Sequence, residues 1–282
     1  MADYKDIKGG TIQNFAGDPP APIAGQVWYD STAIAFQYMS SNPAGAWASG
    51  GNLNTARAYP GSAGTATSAI AFGGDQYGGI AESWNGTSWT EVGDIPDDGY
   101  NNAGGAGADN ESALAFGGTG EDANTYDWNG SSWTEVADLN QGRNSLIGCG
   151  ATAEAALAAG GGAGGGPTNY DLTEIWNGTS WTEVADLNVA NRDGAGNGTS
   201  TSALHFGGHN PPKNGTRQAT NESWNGTCWT EVGDMSTARS DNAGSGANNG
   251  SGLCSGGNTG SDSNATEEFT SPAETNETIT TS

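Results

Sequence analysis

One phrase, repeated four times, sets the organisation of this chain. Ser83-Trp84-Asn85-Gly86-Thr87-Ser88-Trp89-Thr90-Glu91-Val92 returns as Trp128-Asn129-Gly130 with Trp133-Thr134-Glu135-Val136, then from Trp176 to Val184 and from Trp224 to Val232. The second Trp falls at Trp89, Trp133, Trp181 and Trp229, in steps of 44, 48 and 48, and Trp47 lies 42 residues before Trp89. A second phrase precedes each copy. It reads Ala-Ile-Ala-Phe before Gly73-Gly74, Ala-Leu-Ala-Phe before Gly117-Gly118 and Ala-Leu-His-Phe before Gly207-Gly208. Weaker copies end at Gly160-Gly161 and Gly256-Gly257, and the last copy has Phe269 in place of the first Trp. Residues 58–282 therefore divide into five repeats, at about 58–101, 102–144, 145–192, 193–240 and 241–282. A fixed period of this size marks stacked supersecondary units.

Each unit reads as four strands. The first is small and Gly-rich, as in Gly105-Ala106-Gly107. The second is the Ala-Leu-Ala-Phe strand closed by the Gly pair. The third runs into the first Trp, and the fourth starts at the second Trp. Asn-Gly between the two Trp predicts a hairpin, because both residues accept positive φ in a tight turn. Four antiparallel strands at this period indicate an all-β fold, a β-propeller of four-stranded blades. Such a fold explains why 48 of 282 residues are Gly while ten are Trp. Innermost strands converge on the axis and admit only small side chains, whereas indoles fill the space between blades. The N-terminal part offers Thr11–Phe15, Gln26–Tyr29, Ile34–Met39 and Trp47 as further strands. Counting them gives six blades, the number we expect; leaving them out gives five. Residues 1–24 carry no repeat signature and are expected to be an anchoring or flexible arm, with 25–57 as lead-in strands or a first blade.

Charge excludes several functions. With 32 acidic and 8 basic residues the net charge is -24, which argues against nucleic acid and anionic membrane surfaces as partners. No stretch approaches 18 apolar residues, so no membrane insertion is expected, and Met1–Gly10 does not resemble a secretory signal. Cys149, Cys228 and Cys254 are read as free thiols. Asn85, Asn129, Asn177 and Asn225 are formal glycosylation sequons, but turn work explains them in every copy. Arg57, Arg143 and Arg239 lie ten residues after a second-Trp position and Arg192 eleven after. An arginine that recurs with the repeat is expected to be an inter-blade partner for a Glu.

Chemistry is sparse. His205 and His209 are the two histidines, and Phe206-Gly207-Gly208 between them ends a strand. Four residues of strand put them about 13 Å apart, too far to share a metal. No Ser or Cys has a His partner for a triad. Acidic loops such as Asp94–Asp98 and Glu121-Asp122 have only the generic Ca²⁺ affinity of any acidic loop. We expect no catalytic residues, no metal and no cofactor.

The Gly pair, the following Glu-plus-aromatic strand and the spaced Trp resemble the Kelch repeat, a four-stranded propeller blade. As a set, Ala-Leu-Ala-Phe-Gly-Gly, Trp-Asn-Gly-Thr-Ser-Trp-Thr-Glu-Val-Ala-Asp-Leu-Asn and the final Thr-Ile-Thr-Thr-Ser are similar to Kelch-like virion proteins of marine and freshwater tailed phages, especially cyanophages. The stretch from Gly17-Asp18-Pro19-Pro20 to Ser31-Thr32 resembles the lead-in module of phage fibre and appendage proteins. The resemblance implies a non-enzymatic structural component of the tail, fibre or capsid surface. It would be assembled in the host cytoplasm into an oligomer with other virion proteins, with host-surface or glycan binding. A cellular propeller lectin or scaffold, and a polysaccharide hydrolase or lyase, are the alternatives.

Loop lengths point to a binding face. From the second Gly of each pair to the first-Trp position the spacing is 10, 10, 15, 16 and 12 residues, while the Asn-Gly turns are constant. In an up-and-down blade these two sets of turns lie at opposite ends. Variation confined to one end is what a recognition surface produces. The longest loops, 162–174 and 209–222, carry Tyr170, His209, Lys213 and Arg217 as candidate binding residues.

Overall fold

The structure is a computed structural model that describes residues 13–15, 27–31, 35–38, 50–74, 78–97, 100–120, 122–164, 166–211 and 216–271. It divides into two compact units, Met1–Ser49 and Gly50–Ser282. The first unit holds β1 (Gln13–Phe15), β2 (Val27–Asp30) and β3 (Ala35–Tyr38). β1 and β2 pair parallel and β2 and β3 antiparallel, in a three-stranded sheet of their own.

The second unit is a β-propeller of five blades. Blade 1 is β4 (Gly61–Thr65), β5 (Ser68–Phe72), β6 (Ala81–Trp84) and β7 (Trp89–Val92). Blade 2 is β8 (Gly104–Gly107), β9 (Ala113–Phe116), β10 (Thr125–Trp128) and β11 (Trp133–Glu135). Blade 3 is β12 (Ile147–Thr152), β13 (Ala155–Ala159), β14 (Thr173–Trp176) and β15 (Trp181–Glu183). Blade 4 is β16 (Ala195–Thr199), β17 (Ser202–Phe206), β18 (Asn221–Trp224) and β19 (Trp229–Glu231). Blade 5 has three described strands, β20 (Ala243–Asn248), β21 (Ser251–Ser255) and β22 (Thr266–Thr270). Every pairing in these blades is antiparallel, in sequence order. The expected sixth blade is therefore corrected to five. An up-and-down blade needs antiparallel neighbours, and the β1–β2 pair is parallel. Trp47 and most of the expected arm lie outside the described residues.

Innermost strands β4, β8, β12, β16 and β20 pack side by side. A ladder of backbone bonds joins the blades just before them. Tyr59, Asn102, Ser145, Asp193 and Asp241 each have φ between 54° and 58°. Asn102 N donates to Tyr59 O, Ser145 N to Asn102 O, Asp193 N to Ser145 O and Asp241 N to Asp193 O, at 2.8–3.2 Å. A left-handed residue in every blade turns one amide toward the blade before it, so the repeat itself encodes the stacking. Where these strands approach most closely only glycine fits: a Cβ on Gly148 would collide with the backbone of Gly104 and Gly105.

The Trp pairs form the joints. Within each of blades 1–4 the two indoles are directly opposed across the hairpin, with ring centroids 5.2–5.5 Å apart. The first Trp donates to its own blade's inner turn: Trp128 Nε1 to Asn110 O, Trp176 Nε1 to Ala153 O and Trp224 Nε1 to Ser200 O, at 2.9–3.0 Å. The second reaches the preceding blade. Trp133 packs edge-on against Phe72 at 5.4 Å and Trp181 against Phe116 at 4.8 Å. Trp181 Nε1 donates to Thr125 Oγ1 at 3.0 Å, and Trp229 Nε1 to Thr173 Oγ1 at 2.9 Å. Blade 1 has Ala81 at that position, and Trp133 Nε1 is buried with no acceptor among the described residues. Burying one indole removes roughly 200 Å² from water, about 5 kcal/mol at 25 cal/mol/Å². Six of the eight paired Trp are buried; Trp84 and Trp89, on the first blade of the row, are half-buried.

The hairpin between the Trp differs from the turn expected, in which Asn and Gly both take positive φ. Its loop has four residues, and only the Gly takes positive φ, 86–91° at Gly86, Gly130, Gly178 and Gly226. The Asn acts through its side chain. Asn85 Oδ1 accepts from Thr87 N and Ser88 N at 3.0 Å, and the other three copies repeat this. This is an Asx turn, which explains the Asn without αL geometry.

Candidate binding face

Both Gly of each pair have positive φ, from 64° to 138°, which lets the chain turn sharply at the end of the second strand. The second Gly then bonds to the next blade. Gly74 N donates to Tyr100 O, Gly118 N to Arg143 O, Gly161 N to Asn191 O and Gly208 N to Arg239 O, at 2.8–3.0 Å. The loops between second and third strands thus share one end of the propeller with the connections between blades. At the other end the Asn-Gly turns stand beside the inner turns, Gly86 near Thr67 and Gly178 near Glu154.

The repeating arginines turn out to brace single blades. Arg57 Nη2 contacts Glu82 Oε1. Arg143 Nη1 lies 2.5 Å from Glu174 Oε1, and Arg239 Nη2 lies 2.5 Å from Glu267 Oε1. Each Arg precedes the first strand and each Glu sits on the third strand of the same blade, so the expected inter-blade pairing is corrected. The other Glu oxygen accepts from the residue three before the Arg, as Asn140 N to Glu174 Oε2 at 2.8 Å. Blade 4 departs from this. Asn191 takes the Arg position and donates to Gly207 O at 2.7 Å, while Glu222 is held by Asn188 alone of these braces. Arg192, one residue later, is released from the brace. Its Nη2 donates to Asn144 Oδ1 of blade 3 at 3.0 Å.

Three of the variable loops are tied at their base by a triple backbone bridge. Gly162 bridges Asn144 and Asn169, His209 bridges Arg192 and Arg217, and Asn258 bridges Ser240 and Asp262. His209 is therefore a tether with its side chain 9% exposed, and Asn169 Nδ2 donates to its carbonyl at 2.7 Å. Tyr170 is half-buried, its N–H bonded to Gly161 O and its carbonyl to Asn191 N. Arg217 is half-buried, with no hydrogen-bond or ion-pair partner among the described residues. Lys213 lies outside the described residues. Arg192 joins this group although its periodicity gave it a bracing role; the one-residue slip from ten to eleven after the Trp is the signal that separates it.

Elsewhere, His205 is buried in β17 with its ring edge-on to Trp229 at 6.5 Å, and burial pushes its pKa down to about 4. Two of the acidic loops meet at blade 2. Asn124 Nδ2 lies 3.4 Å from Asp97 Oδ2 and 3.3 Å from Asp122 Oδ2. Burial, then the hydrogen bond and charge of Asp97, raise the Asp122 carboxyl to about 6. Among the described residues no three His, Cys, Asp or Glu side chains converge in a metal-binding group. A cavity between blades 4 and 5 is lined by Phe206, Asn221, Met235, Cys254 and Phe269. Phe206 and Asn221 occupy the positions that hold the second Trp at the other joints.

No family model matches the chain, and no curated protein does. The structure solved as the structure of YjhT is similar to it, with a TM-score of 0.63 at 15% identity over 77% of this chain and 82% of that one. The similarity is one of fold.

Proposed function

We propose that this chain is a non-enzymatic structural component of a phage virion, in the tail, a fibre or a capsid-surface appendage, built from Kelch-like blades. It meets a host surface or glycan through the loops between second and third strands, and other virion proteins hold it in an oligomeric assembly. The observation that carries recognition is the one-sided variation in loop length. Spacings of 10 to 16 residues gather at one end, the three longest above bases tied by the same bridges, while the four Asn-Gly turns opposite are invariant in length. A rigid scaffold with one variable end is how recognition surfaces are built. The virion assignment is supported by the resemblance of the repeat phrases. The non-enzymatic reading is supported by the burial of His205 against Trp229 and by the role of His209 as a tether.

Mass spectrometry of density-banded phage particles tests the virion assignment. We expect the chain at a fixed stoichiometry to the major capsid protein. Its absence from banded particles, with the protein present in the host cell, would favour a cellular lectin or scaffold instead.

A further inference from the structure

At the loop end of blade 4 the chain breaks its own repeat in a way that concentrates positive charge. The bridged triplets are Asn144–Gly162–Asn169 in blade 3, Arg192–His209–Arg217 in blade 4 and Ser240–Asn258–Asp262 in blade 5. Residues directly opposed across an antiparallel bridge carry their side chains on the same face. Blade 4 alone therefore lines up two guanidinium groups and an imidazole, in a chain with 8 basic and 32 acidic residues.

The charge there is only partly matched. Arg192 Nε and His209 Nδ1 both lie 3.4 Å from Asp193 Oδ2, so one carboxylate is shared between two bases. Arg217 is left without a counter-ion among the described residues, and its Nε is buried without an acceptor. Around the row, Asn169 Oδ1 and Asn210 Oδ1 are buried acceptors with no donor. Asn169 is 7% exposed. Buried polar atoms left unpaired are costly, so each calls for a partner from water, an ion or a ligand. A guanidinium fork matches the two oxygens of a carboxylate or sulfate.

We propose that the Arg192–His209–Arg217 row is an oxyanion subsite that takes the carboxylate or sulfate of an acidic polysaccharide. The proposal rests on the recognition reading above and names its ligand class. Arg217 makes the direct contact, and Asp193 keeps Arg192 and His209 in place behind it.

Affinity electrophoresis of the full-length protein through gels containing alginate, dextran sulfate or neutral dextran tests it. Alginate carries carboxylates and dextran sulfate carries sulfates, so the two arms identify the oxyanion. We expect retardation by at least one acidic polymer and none by dextran. Arg217→Gln should weaken that binding roughly tenfold and Arg217→Lys less, both with an unchanged Tm. Acidic polymers that bind Arg217→Gln as tightly as the wild type, or retardation by dextran alone, would overturn the subsite while leaving recognition intact. If the protein is retarded by none of the polymers and does not bind host cells, the recognition reading falls and the subsite with it.

Discussion

Breaking the brace of blade 3 should cost far more than breaking that of blade 5, although the residues are the same. Arg143 and Glu174 are 0% and 2% exposed, with nitrogen and oxygen 2.5 Å apart. Glu174 also accepts from Asn140 N and Asn140 Nδ2 at 2.8 and 2.7 Å. Glu174→Ala therefore leaves a buried guanidinium without its counter-ion, while the donors of the exposed Asn140 turn to water, and the orphaned charge costs about 3–5 kcal/mol. That is a large part of a total on the order of 5–15 kcal/mol. Glu267 is 21% exposed, so water recovers part of the loss, and Glu267→Ala should cost roughly 1–2 kcal/mol. Replacing both blade 3 partners, Arg143→Met with Glu174→Leu, should restore most of the stability, because a matched apolar pair leaves no orphan charge. Blade 2 already has such an exchange: Tyr100 and Tyr126 stand at the two positions, and their rings pack edge-on with centroids 5.6 Å apart. Urea unfolding followed by Trp fluorescence measures each variant, with the slope m checked for constancy. A cost below about 1 kcal/mol for Glu174→Ala, or an equal cost for Glu267→Ala, would refute the argument that burial makes the brace strong.

The indole joints give a second pair of tests. Thr125→Val removes the acceptor of Trp181 Nε1 and should cost about 1–3 kcal/mol, whereas Ala81→Thr offers Trp133 Nε1 its missing acceptor and should raise the Tm. A lower Tm for Ala81→Thr would mean that the joint between blades 1 and 2 has no room for the bond. The third test is acid stability. Asp122, raised from 3.8 to about 6, binds its proton first in the folded state, so it stabilises the fold as pH falls from 6 toward 4. His205, lowered from 6.5 to about 4, binds its proton first in the unfolded state and destabilises the fold over nearly the same window. Asp122→Asn removes the compensating group, so urea midpoints should fall more steeply between pH 6.5 and 4 than in the wild type. An unchanged pH profile would show that the Asp97–Asp122 contact does not hold a proton.

The repeat made the blades legible because equivalent positions in each copy face equivalent surroundings. The Gly pairs, the small inner strands and the Trp couples could be read for that reason. What periodicity does not carry is which neighbour a side chain faces. Arg143 is legible as a repeating arginine that wants a Glu, but only the fold shows that the Glu is Glu174 and that both belong to one blade. The N-terminal segments read as strands from their apolar residues, yet alternation says nothing of parallel or antiparallel pairing, and the β1–β2 pair decided the blade count. Of the candidate residues, His209 and Tyr170 are held by backbone bonds that no side-chain pattern announces. Arg192 was hidden by its resemblance to the bracing arginines, and its partnership with His209 and Arg217 arises from a bridge across three separate segments.

The central claim is that recognition belongs to the variable-loop end, and the chain carries a thiol that tests it. Cys228 is exposed on an Asn-Gly turn, while Cys149 and Cys254 are buried and burial pushes the Cys149 thiol up to about 12. A bulky polyethylene glycol maleimide on the native protein should therefore modify Cys228 alone and block the Asn-Gly end. The same reagent on a Cys228→Ser, Thr168→Cys variant blocks the other end, since Thr168 is an exposed residue of a variable loop. Binding of each conjugate to host cells or their surface polysaccharide is then compared with the unmodified protein. The account predicts unchanged binding for the Cys228 conjugate and lost binding for the Thr168→Cys conjugate. Loss at Cys228 with retention at Thr168→Cys would contradict it.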